Sequence, residues 1–298
     1  MFVPSKQILQ EAQAEGYGVG AFNTINMESA QAIFQAAEEE RAPFICQITE
    51  TTIKYTNPEE LVAIVKVLAD RATVPVALHL DHGRTFDRVM QFLRMGMTSV
   101  MIDGSLQKDG KTPRSYDENV EVTRKVIEAA HALGVTVEGE IGRLGQVKGA
   151  EEEILTDPDE AEKFVNDSGV DLLAIAIGTT HGLFKGTPFI AHDRIKEIRK
   201  RIPTILVMHG GTGVPDEDVQ KGVKEGITKI NIDTEIRVAF YGAIFKCVDD
   251  IRKEFEEADR KGDVHKYDLR TKLLGPARDA MVEAIRGKMR LFGSSGKA

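Results

Sequence analysis

Short, almost continuously apolar runs alternate with longer amphipathic stretches along the chain, and the alternation repeats about eight times. Apolar runs of this kind are typical of strands buried on both faces of a parallel sheet. Eight strand–helix units in 298 residues favour an α/β fold whose sheet closes into a (β/α)8 TIM barrel over an open, doubly wound sheet. The predicted strands are Val19–Asn23, Phe44–Thr49, Val76–Asp81, Ser99–Asp103, Val135–Ile141, Leu172–Gly178, Ile205–His209 and Lys229–Asp233.

Three segments carry the sequence signals of helix starts. Residues 57–60, Asn-Pro-Glu-Glu, and 157–160, Asp-Pro-Asp-Glu, each combine a capping residue, a proline at the first helical position and acids in the first turn. Residues 214–217, Val-Pro-Asp-Glu, predict a third start. Two extra C-terminal helices, over about 235–261 and 275–290, are predicted beyond the eighth strand. No linker interrupts the pattern, so residues 1–298 are predicted to form a single domain.

Composition and charge narrow the class of protein. Hydrophobic residues make up 42 % and charged residues 29 % of the chain, and the formal net charge is -8. This acidic balance argues against a nucleic acid or an anionic membrane as partner. No apolar run reaches the ~18 residues that a membrane span needs, and no basic region followed by an apolar core opens the chain. Cys46 and Cys247 fit no disulfide or zinc framework, so we expect reduced thiols and a cytoplasmic protein.

Three histidines lie at the ends of predicted strands, each followed by a glycine: His82, His181 and His209. A single histidine at such a place is more often a core residue with satisfied hydrogen bonds. A parallel barrel, however, brings all its strand ends to one rim, where three neutral imidazoles would form an open divalent-metal site. The repeated His-Gly pattern therefore predicts a metal centre.

Several acidic residues lie at the same strand ends. Asp81 precedes His82 and is either a supporting carboxylate or a general acid–base that moves a proton beside the metal. Glu138 and Glu140 share one strand face by the period of two, and Asp103 ends the previous strand. These three carboxylates predict either a second cation position or an ion-pair network with a strand-end arginine or lysine. His79 is interpreted as a core or supporting residue.

The loops after the seventh and eighth strands predict an anion site. Residues 210–213, Gly-Gly-Thr-Gly, and 231–234, Asn-Ile-Asp-Thr, each lead into a predicted helix. In TIM barrels these two loops frequently hold a phosphate with backbone N–H groups and a helix N-terminus. Thr212 and Thr234 add hydroxyl donors, and Lys185 adds a positive charge. Two further loops, 104–114 and 142–153, are either lids over this rim or solvated surface loops.

The motifs together resemble the class II, metal-dependent ketose-bisphosphate aldolases, and most of all their fructose-1,6-bisphosphate members. The resemblance covers essentially the whole chain, in order. Its motifs are Gly20-Ala-Phe-Asn23, Leu78-His-Leu-Asp-His-Gly83, Ser99-Val-Met-Ile-Asp103, Glu138-Gly-Glu-Ile-Gly142, Gly178-Thr-Thr-His-Gly182, His209-Gly-Gly-Thr-Gly213, Asn231-Ile-Asp-Thr234, Leu274-Gly-Pro-Ala-Arg278 and Leu291-Phe-Gly-Ser-Ser295.

The resemblance implies roles for individual residues. It implies a zinc-type ion on His82, His181 and His209, and proton transfer by Asp81. It implies that Asp103 and Glu140 bind an additional or alternative divalent metal, and that a monovalent cation, Na⁺ or K⁺, lies near the phosphate. The implied contacts to a phosphorylated sugar, together with further candidates at the rim, are Asn23, Gly182, Lys185, Gly210, Gly211, Thr212, Asn231, Ile232, Asp233, Thr234 and Arg237.

The implied reaction is reversible, zinc-dependent cleavage of fructose 1,6-bisphosphate to dihydroxyacetone phosphate and glyceraldehyde 3-phosphate, a step of glycolysis and gluconeogenesis. A homodimer or homotetramer is expected. Tagatose 1,6-bisphosphate is the alternative substrate, although Asp233 with Arg237 one helical turn later is more similar to the fructose enzymes. The segment after Asp103 is longer than the family pattern. The loop after the fifth strand is shorter and ends in three acids, leaving open whether Glu151, Glu152 or Glu153 assists proton transfer.

Three other functions share parts of this pattern. A Schiff-base aldolase would need a reactive lysine at a strand end, but the sixth predicted strand leads into Thr179-Thr180-His181. A barrel hydrolase would use a metal-bound water and release a hydrolysed product. A non-catalytic sugar-phosphate-binding barrel would bind without turnover and would not need Asp81.

Overall fold

Eight parallel strands close into a barrel in the computed structural model, which describes residues 2–142, 155–179, 182 and 189–298 and the backbone of 147–148 and 152–153. Each strand pairs with its neighbours in sequence, and β8 pairs with β1. The predicted TIM barrel is therefore confirmed. The strands are β1 Val19–Asn23, β2 Phe44–Thr49, β3 Val76–Gly83, β4 Ser99–Ile102, β5 Thr136–Ile141, β6 Leu172–Ile175, β7 Ile205–Met208 and β8 Ile227–Ile232. A separate antiparallel ladder joins Val147–Lys148 to Glu152–Glu153.

Helices follow every barrel strand. They are α1 Ser5–Glu15, α2 Met27–Glu40, α3 Glu50–Ile53, α4 Pro58–Ala69, α5 Phe86–Arg94, α6 Tyr116–His131, α7 Pro158–Ser168, α8 His192–Arg201, α9 Asp216–Glu225, α10 Thr234–Arg260 and α11 Gly275–Phe292. The predicted caps are confirmed: Asn57 Oδ1 accepts the Glu59 N–H at 3.0 Å, and Asp157 Oδ1 accepts the Asp159 N–H at 2.9 Å. Among the described residues, no helix is long and apolar enough to span a membrane.

The hydrophobic core has two layers. The larger layer lies between the sheet and its helices and includes Phe44, Phe92 and Phe164. The smaller layer fills the amino-terminal end of the barrel and includes residues of α1, such as Ile8 and Leu9. Because α1 packs against this end, the opposite end, formed by the carboxyl ends of the strands, is the one left for a site.

The two C-terminal helices extend beyond the barrel, as predicted. Helix α11 packs against α2, where the carboxylate of Glu40 accepts hydrogen bonds from Arg286 Nε at 2.8 Å, Arg290 Nη2 at 2.5 Å and Ser295 Oγ at 2.8 Å. A 3₁₀ turn, Val264–Lys266, and a π-helical turn, Arg270–Leu274, connect α10 to α11. The chain end is therefore held against the barrel's second helix.

Candidate active site

A cavity of about 500 Å³ opens at the carboxyl ends of the strands. Every barrel strand supplies its last residues, or a residue of the loop that follows it, to the cavity wall. The lining residues are Asn23, Gln47, Thr49, Glu50, Thr51, Asp81, His82, Arg84, Asp103, Leu106, Glu140, Gly182, Gly210, Thr212, Asn231, Asp233, Thr234 and Arg237. The sequence prediction that these strand ends meet is thus correct for the residues that the structure describes.

Two of the three predicted metal-binding histidines face each other across the cavity floor. His82 Nε2 and His209 Nδ1 are 3.1 Å apart, although the residues come from β3 and the end of β7. Two nitrogen ligands of a tetrahedral zinc ion, at about 2.0–2.1 Å from the metal, would be separated by roughly 3.3 Å. The observed spacing therefore fits a shared divalent ion. His181, the third predicted ligand, lies outside the described residues.

The backbone of β3 is shaped to aim His82 at this point. The pairing register between β3 and β4 shifts between Leu80 and Gly83, as at a β-bulge, and His82 has the left-handed value φ 53°. Bulges and left-handed non-glycine residues recur where a side chain is re-aimed at a functional site. At Gly83, a Cβ atom would lie 2.7 Å from the carbonyl oxygen of Met101. Glycine is therefore required for β3 to approach β4 here.

Carboxylates surround His82. Its Nδ1 lies 3.4 Å from Asp103 Oδ2 and 4.0 Å from Glu140 Oε2, and its Nε2 lies 3.9 Å from Asp81 Oδ1. Burial opposes protonation, but the charge of Asp81 and the contact with Asp103 outweigh it and raise the pKa of His82 to about 10. Burial and the charge of Asp103 raise the pKa of Glu140 well above its usual range. This excess of buried negative charge favours a cation at the site.

The donor set fits a divalent metal in two overlapping positions. Asp81, His82 and His209 offer one group of ligand atoms within 4.8 Å of one another, and His82, Asp103 and Glu140 offer a second. Within the described part of the chain, Glu140 Oε2 is buried without a hydrogen-bond partner. A buried carboxylate oxygen of this kind is costly unless a cation or a donor satisfies it.

A buried ionic network holds the imidazole of His209 on its Nε2 side. Glu138 Oε1 accepts a hydrogen bond from His209 Nε2 at 2.8 Å, and Glu138 Oε2 accepts one from Lys229 Nζ at 2.8 Å. The side chains of Glu138 and Lys229 are fully buried. Burial opposes ionisation of Glu138, but the charge of Lys229 and the bond from His209 hold its pKa far below the usual range. Glu138 is therefore a carboxylate, which fixes the proton of His209 on Nε2 and leaves Nδ1 facing His82.

Asp81 is held beside the paired histidines. Asn231 Nδ2 donates to Asp81 Oδ1 at 3.3 Å. Burial opposes ionisation of Asp81, yet the nearby charges of His82 and His209 lower its pKa. The carboxylate is therefore ionised and able to accept a proton within the cavity.

The loops after β7 and β8 form the opposite part of the wall. Gly210 and Gly213 have left-handed φ values of 67° and 80°, so glycine is needed to turn the loop. Thr212 and Thr234 line the cavity. Arg237 binds Asp233 through two hydrogen bonds, from Nε at 3.0 Å and from Nη2 at 2.8 Å. These features give the wall hydroxyl groups and backbone amides, with the aspartate already paired.

Other predicted residues are placed as follows. Asn23 lines the cavity and accepts a hydrogen bond from Gln47 Nε2 at 2.5 Å. Gly211 donates its N–H to the Asn231 carbonyl at 3.3 Å. The side chain of Ile232 is buried in the core between sheet and helices, so only its backbone is available to a ligand. Lys185, Glu151 and the side chains of Glu152 and Glu153 lie outside the described residues.

Sequence reasoning missed several residues of the site. One is Lys229. A lysine in the middle of an apolar strand is a visible signal, because a buried lysine requires an ionic partner. For Glu138, the ion-pair alternative is correct. Gln47 and Thr49 of β2 and Arg84 of the loop after β3 also line the cavity, but no local sequence motif marks them as site residues.

Comparisons with known proteins agree with this arrangement. The family model described as "Fructose-bisphosphate aldolase class-II" matches residues 3–297. Fructose-bisphosphate aldolase of Thermus caldophilus is 43% identical, with 100% of each chain covered. Sulfofructosephosphate aldolase of Alkalicoccus urumqiensis is 40% identical, covering 100% of this chain and 98% of that protein. The crystal structure of the YdjI aldolase from Escherichia coli K12 superposes with a TM-score of 0.85 at 31% identity, with both chains fully covered.

The family match extends over almost the entire chain, and a barrel of the expected kind presents imidazole and carboxylate donors at its mouth. The chain therefore belongs to the class II fructose-bisphosphate aldolase family and is a metal-dependent aldolase acting on a phosphorylated sugar.

Proposed function

We propose that this aldolase reversibly cleaves fructose 1,6-bisphosphate to dihydroxyacetone phosphate and glyceraldehyde 3-phosphate, in glycolysis and gluconeogenesis. The observation that carries the proposal is the 3.1 Å approach of His82 Nε2 to His209 Nδ1 beside the ionised Asp81. A pair of histidine nitrogens that can hold a divalent metal next to a proton acceptor is what metal-dependent aldol cleavage requires.

Zinc is the proposed resident metal, held by His82, His209 and His181. When bound, it acts as a Lewis acid that polarises the oxygens of the dihydroxyacetone phosphate half. Asp103 and Glu140, which face the other side of His82, are the proposed ligands of a second divalent position. A monovalent cation, Na⁺ or K⁺, near the phosphate stays a prediction from the family resemblance.

Asp81 is the proposed proton-transfer residue. In the cleavage direction, the hydroxyl that becomes the aldehyde must lose its proton, and in condensation the same oxygen must regain it. Asp81 is ionised, buried and oriented by Asn231, so it can take this proton without first losing one of its own. A positioned group of this kind is worth about 10²–10⁴ in rate.

The phosphate of the dihydroxyacetone half is proposed to bind at the loops after β7 and β8. Gly182, Gly210, Thr212 and Thr234 line this wall of the cavity, which supports the assignment. Thr234 begins α10, so its backbone N–H lies at a helix N-terminus, where anions are favoured. Gly211, Asn231 and the backbone of Ile232 belong to the same proposed anion site, together with Lys185.

Sugar specificity is proposed from Asp233, which is available to hydrogen-bond a sugar hydroxyl while Arg237 offsets its charge. A site built for one hydroxyl orientation discriminates against the epimer, because a buried polar group is then left unpaired. The test is the ratio of kcat/KM for fructose 1,6-bisphosphate and tagatose 1,6-bisphosphate, measured by coupled detection of the triose phosphates. A ratio well above one supports the proposal. Equal values would remove the role of Asp233 in sugar selection.

A homo-oligomer, dimer or tetramer, is the proposed assembly. Helix α10 carries three exposed apolar side chains at helical spacing, Val238 at 48%, Tyr241 at 44% and Phe245 at 74% exposure. We expect Phe245→Asp to lower the molar mass measured by light scattering, since a charge at this stripe would be buried in the contact. An unchanged mass would exclude the α10 stripe as the interface. A cytoplasmic location and a single-domain chain are also proposed. The free thiols of Cys46 and Cys247 support the cytoplasmic location, because thiols stay reduced there.

A further inference from the structure

Arg84 is a cavity-lining arginine whose guanidinium forms no ion pair in the described part of the chain, although its charge acts on Asp103 in the same cavity. It lies two residues after His82, at the mouth of the cavity, and is partly buried. Among the described residues, no carboxylate oxygen lies within 4.0 Å of its side-chain nitrogens, and no acceptor binds them. An unpaired guanidinium beside a buried ionic site is a strong receptor for an oxyanion, since it offers five N–H donors in a planar fork.

The position of Arg84 in the barrel indicates which part of a bound substrate it can contact. Arg84 follows β3, and the Gly210–Gly213 loop follows β7. In the closed order of eight strands, β3 and β7 are four strands apart in either direction, so the two loops lie across the barrel mouth from each other. His82 and His209 come from the same two strands and meet between them. A substrate with one anionic end on the β7 loop would therefore extend past the metal-binding histidines towards Arg84.

The backbone and side chain of Arg84 are both held in place. The Arg84 N–H donates to Glu50 Oε1 at 3.1 Å, and the Arg84 carbonyl accepts from Arg114 Nη2 at 3.3 Å. The guanidinium lies against the α-carbon of Gly110, because a Cβ atom there would be 1.4 Å from Nη1. The loop after β4 therefore contributes to the orientation of this side chain. A pre-oriented cation loses little freedom when it binds.

Arg237, the other arginine of the cavity wall, is paired with an aspartate. Its Nε and Nη2 groups already bind Asp233, and Nη2 also lies 3.2 Å from Thr234 Oγ1. This bidentate pairing occupies two of its donor groups and places a carboxylate beside its charge. Of the two arginines, Arg84 is thus the one whose guanidinium donors and charge are available to bind an anion.

We propose that Arg84 binds the terminal oxyanion of the aldehyde half of the substrate and so determines which sugar phosphates are cleaved efficiently. The inference rests on the proposed aldolase function and deepens it. The group recognised is a tetrahedral oxyanion, which is a phosphate in fructose 1,6-bisphosphate and a sulfonate in sulfofructose phosphate. Arg84 makes no bond to the reacting carbons, so its contribution is to binding and positioning.

The test compares Arg84→Gln and Arg84→Lys with the unmutated enzyme on fructose 1,6-bisphosphate and on fructose 1-phosphate, which lacks the terminal phosphate. We expect Arg84→Gln to lower kcat/KM for the bisphosphate by about 10- to 100-fold, mainly through KM, as for loss of a charge-assisted hydrogen bond. The rate on fructose 1-phosphate should stay within about 2-fold, which also reports an intact fold. Arg84→Lys should recover part of the loss, because it keeps the charge without the fork.

Arg88→Gln is the matched control. Arg88 lies four residues further on, near Glu50 and Gln91, and does not line the cavity. It should leave both substrates unaffected. Gly110→Ala is a second probe, since the added methyl would displace the Arg84 guanidinium. It should reproduce the bisphosphate-selective loss in weaker form.

The outcomes separate the inference from the proposed function. If unmutated enzyme cleaves the bisphosphate and Arg84→Gln weakens both substrates equally, or neither, the role of Arg84 is overturned while the aldolase function stands. If the enzyme prefers sulfofructose phosphate and Arg84→Gln removes that preference, Arg84 is the oxyanion receptor but fructose 1,6-bisphosphate is not the substrate. If none of the three sugars is cleaved by the zinc-loaded enzyme, both proposals fail.

Discussion

Glu138→Gln tests whether Glu138 orients the metal ligand His209 or only fills space in the core. Glu138 is isosteric with glutamine, so the buried volume is unchanged. The new side chain has one acceptor and one donor end in place of two acceptors. Lys229 is a charged donor at 2.8 Å and will take the oxygen, so the amide NH₂ must face His209 Nε2. His209 would then accept at Nε2 and carry its proton on Nδ1, the atom that faces His82.

The magnitude follows from this change of tautomer. A protonated Nδ1 has no lone pair for the metal. Before His209 can bind zinc, its imidazole must therefore change to the other tautomer or lose its hydrogen bond at Nε2, and either change costs free energy. Substitutions of residues that orient metal ligands weaken metal affinity by about 10- to 100-fold, which is roughly 1.4 to 2.7 kcal/mol. We therefore expect the zinc dissociation constant of Glu138→Gln to rise by that factor. Activity should return at saturating zinc.

The assay is zinc binding by the metal-free protein in competition with a chromophoric chelator, alongside activity as a function of free zinc. Glu225→Gln is the control, because Glu225 accepts from His192 Nδ1 at 2.6 Å in a partly buried His–Glu pair that lies outside the cavity. The control should not change zinc affinity. Unchanged affinity in Glu138→Gln would refute the orienting role, and a loss of activity that excess zinc cannot restore would reassign Glu138 to the chemistry itself.

Two further predictions concern Asp81 in the cavity and Glu40 at the contact between α2 and α11. Asp81→Ala should retain zinc and substrate binding while kcat falls by about 10²–10⁴, measured with direct metal analysis; recovery of activity with excess zinc would reassign Asp81 to metal binding. Burial opposes ionisation of Glu40, but its hydrogen bonds with Arg290 and Arg286 lower the pKa from 4.5 to about 2. Its contribution to stability is therefore present above pH 4.5 and is lost as the pH falls towards 2. Glu40→Gln should reduce the unfolding free energy at pH 7 by about 1–2 kcal/mol and by much less near pH 2. Urea unfolding at both pH values measures this difference.

The barrel was predictable because its signals are local. Each strand is a nearly continuous apolar run, and Asn57 and Asp157 cap helices that begin one residue later. The predicted strands differ from the observed ones mainly at their ends: β7 ends at Met208, one residue before the predicted His209, and β6 ends at Ile175, three before Gly178. In both places a polar or glycine-rich tip leaves the sheet to form the rim.

The arrangement within the site was less predictable because it depends on distant residues meeting. Glu138 and Lys229 are 91 positions apart, and only the closed register of the barrel brings them within 2.8 Å. Arg84 could not be identified from the sequence either, since the absence of an ion pair at its guanidinium among the described residues depends on residues that are distant in sequence. The sequence could identify strand-end histidines and carboxylates as a group, but the pairing of individual donors and acceptors needs the three-dimensional structure.

Removal and return of zinc tests the central proposal most directly. The histidines come from separate strands of a barrel whose core is independent of them, so chelation should abolish cleavage of fructose 1,6-bisphosphate while circular dichroism stays unchanged. Stoichiometric zinc should restore formation of dihydroxyacetone phosphate and glyceraldehyde 3-phosphate in equal amounts. Full activity in protein shown by elemental analysis to contain no metal would contradict the account.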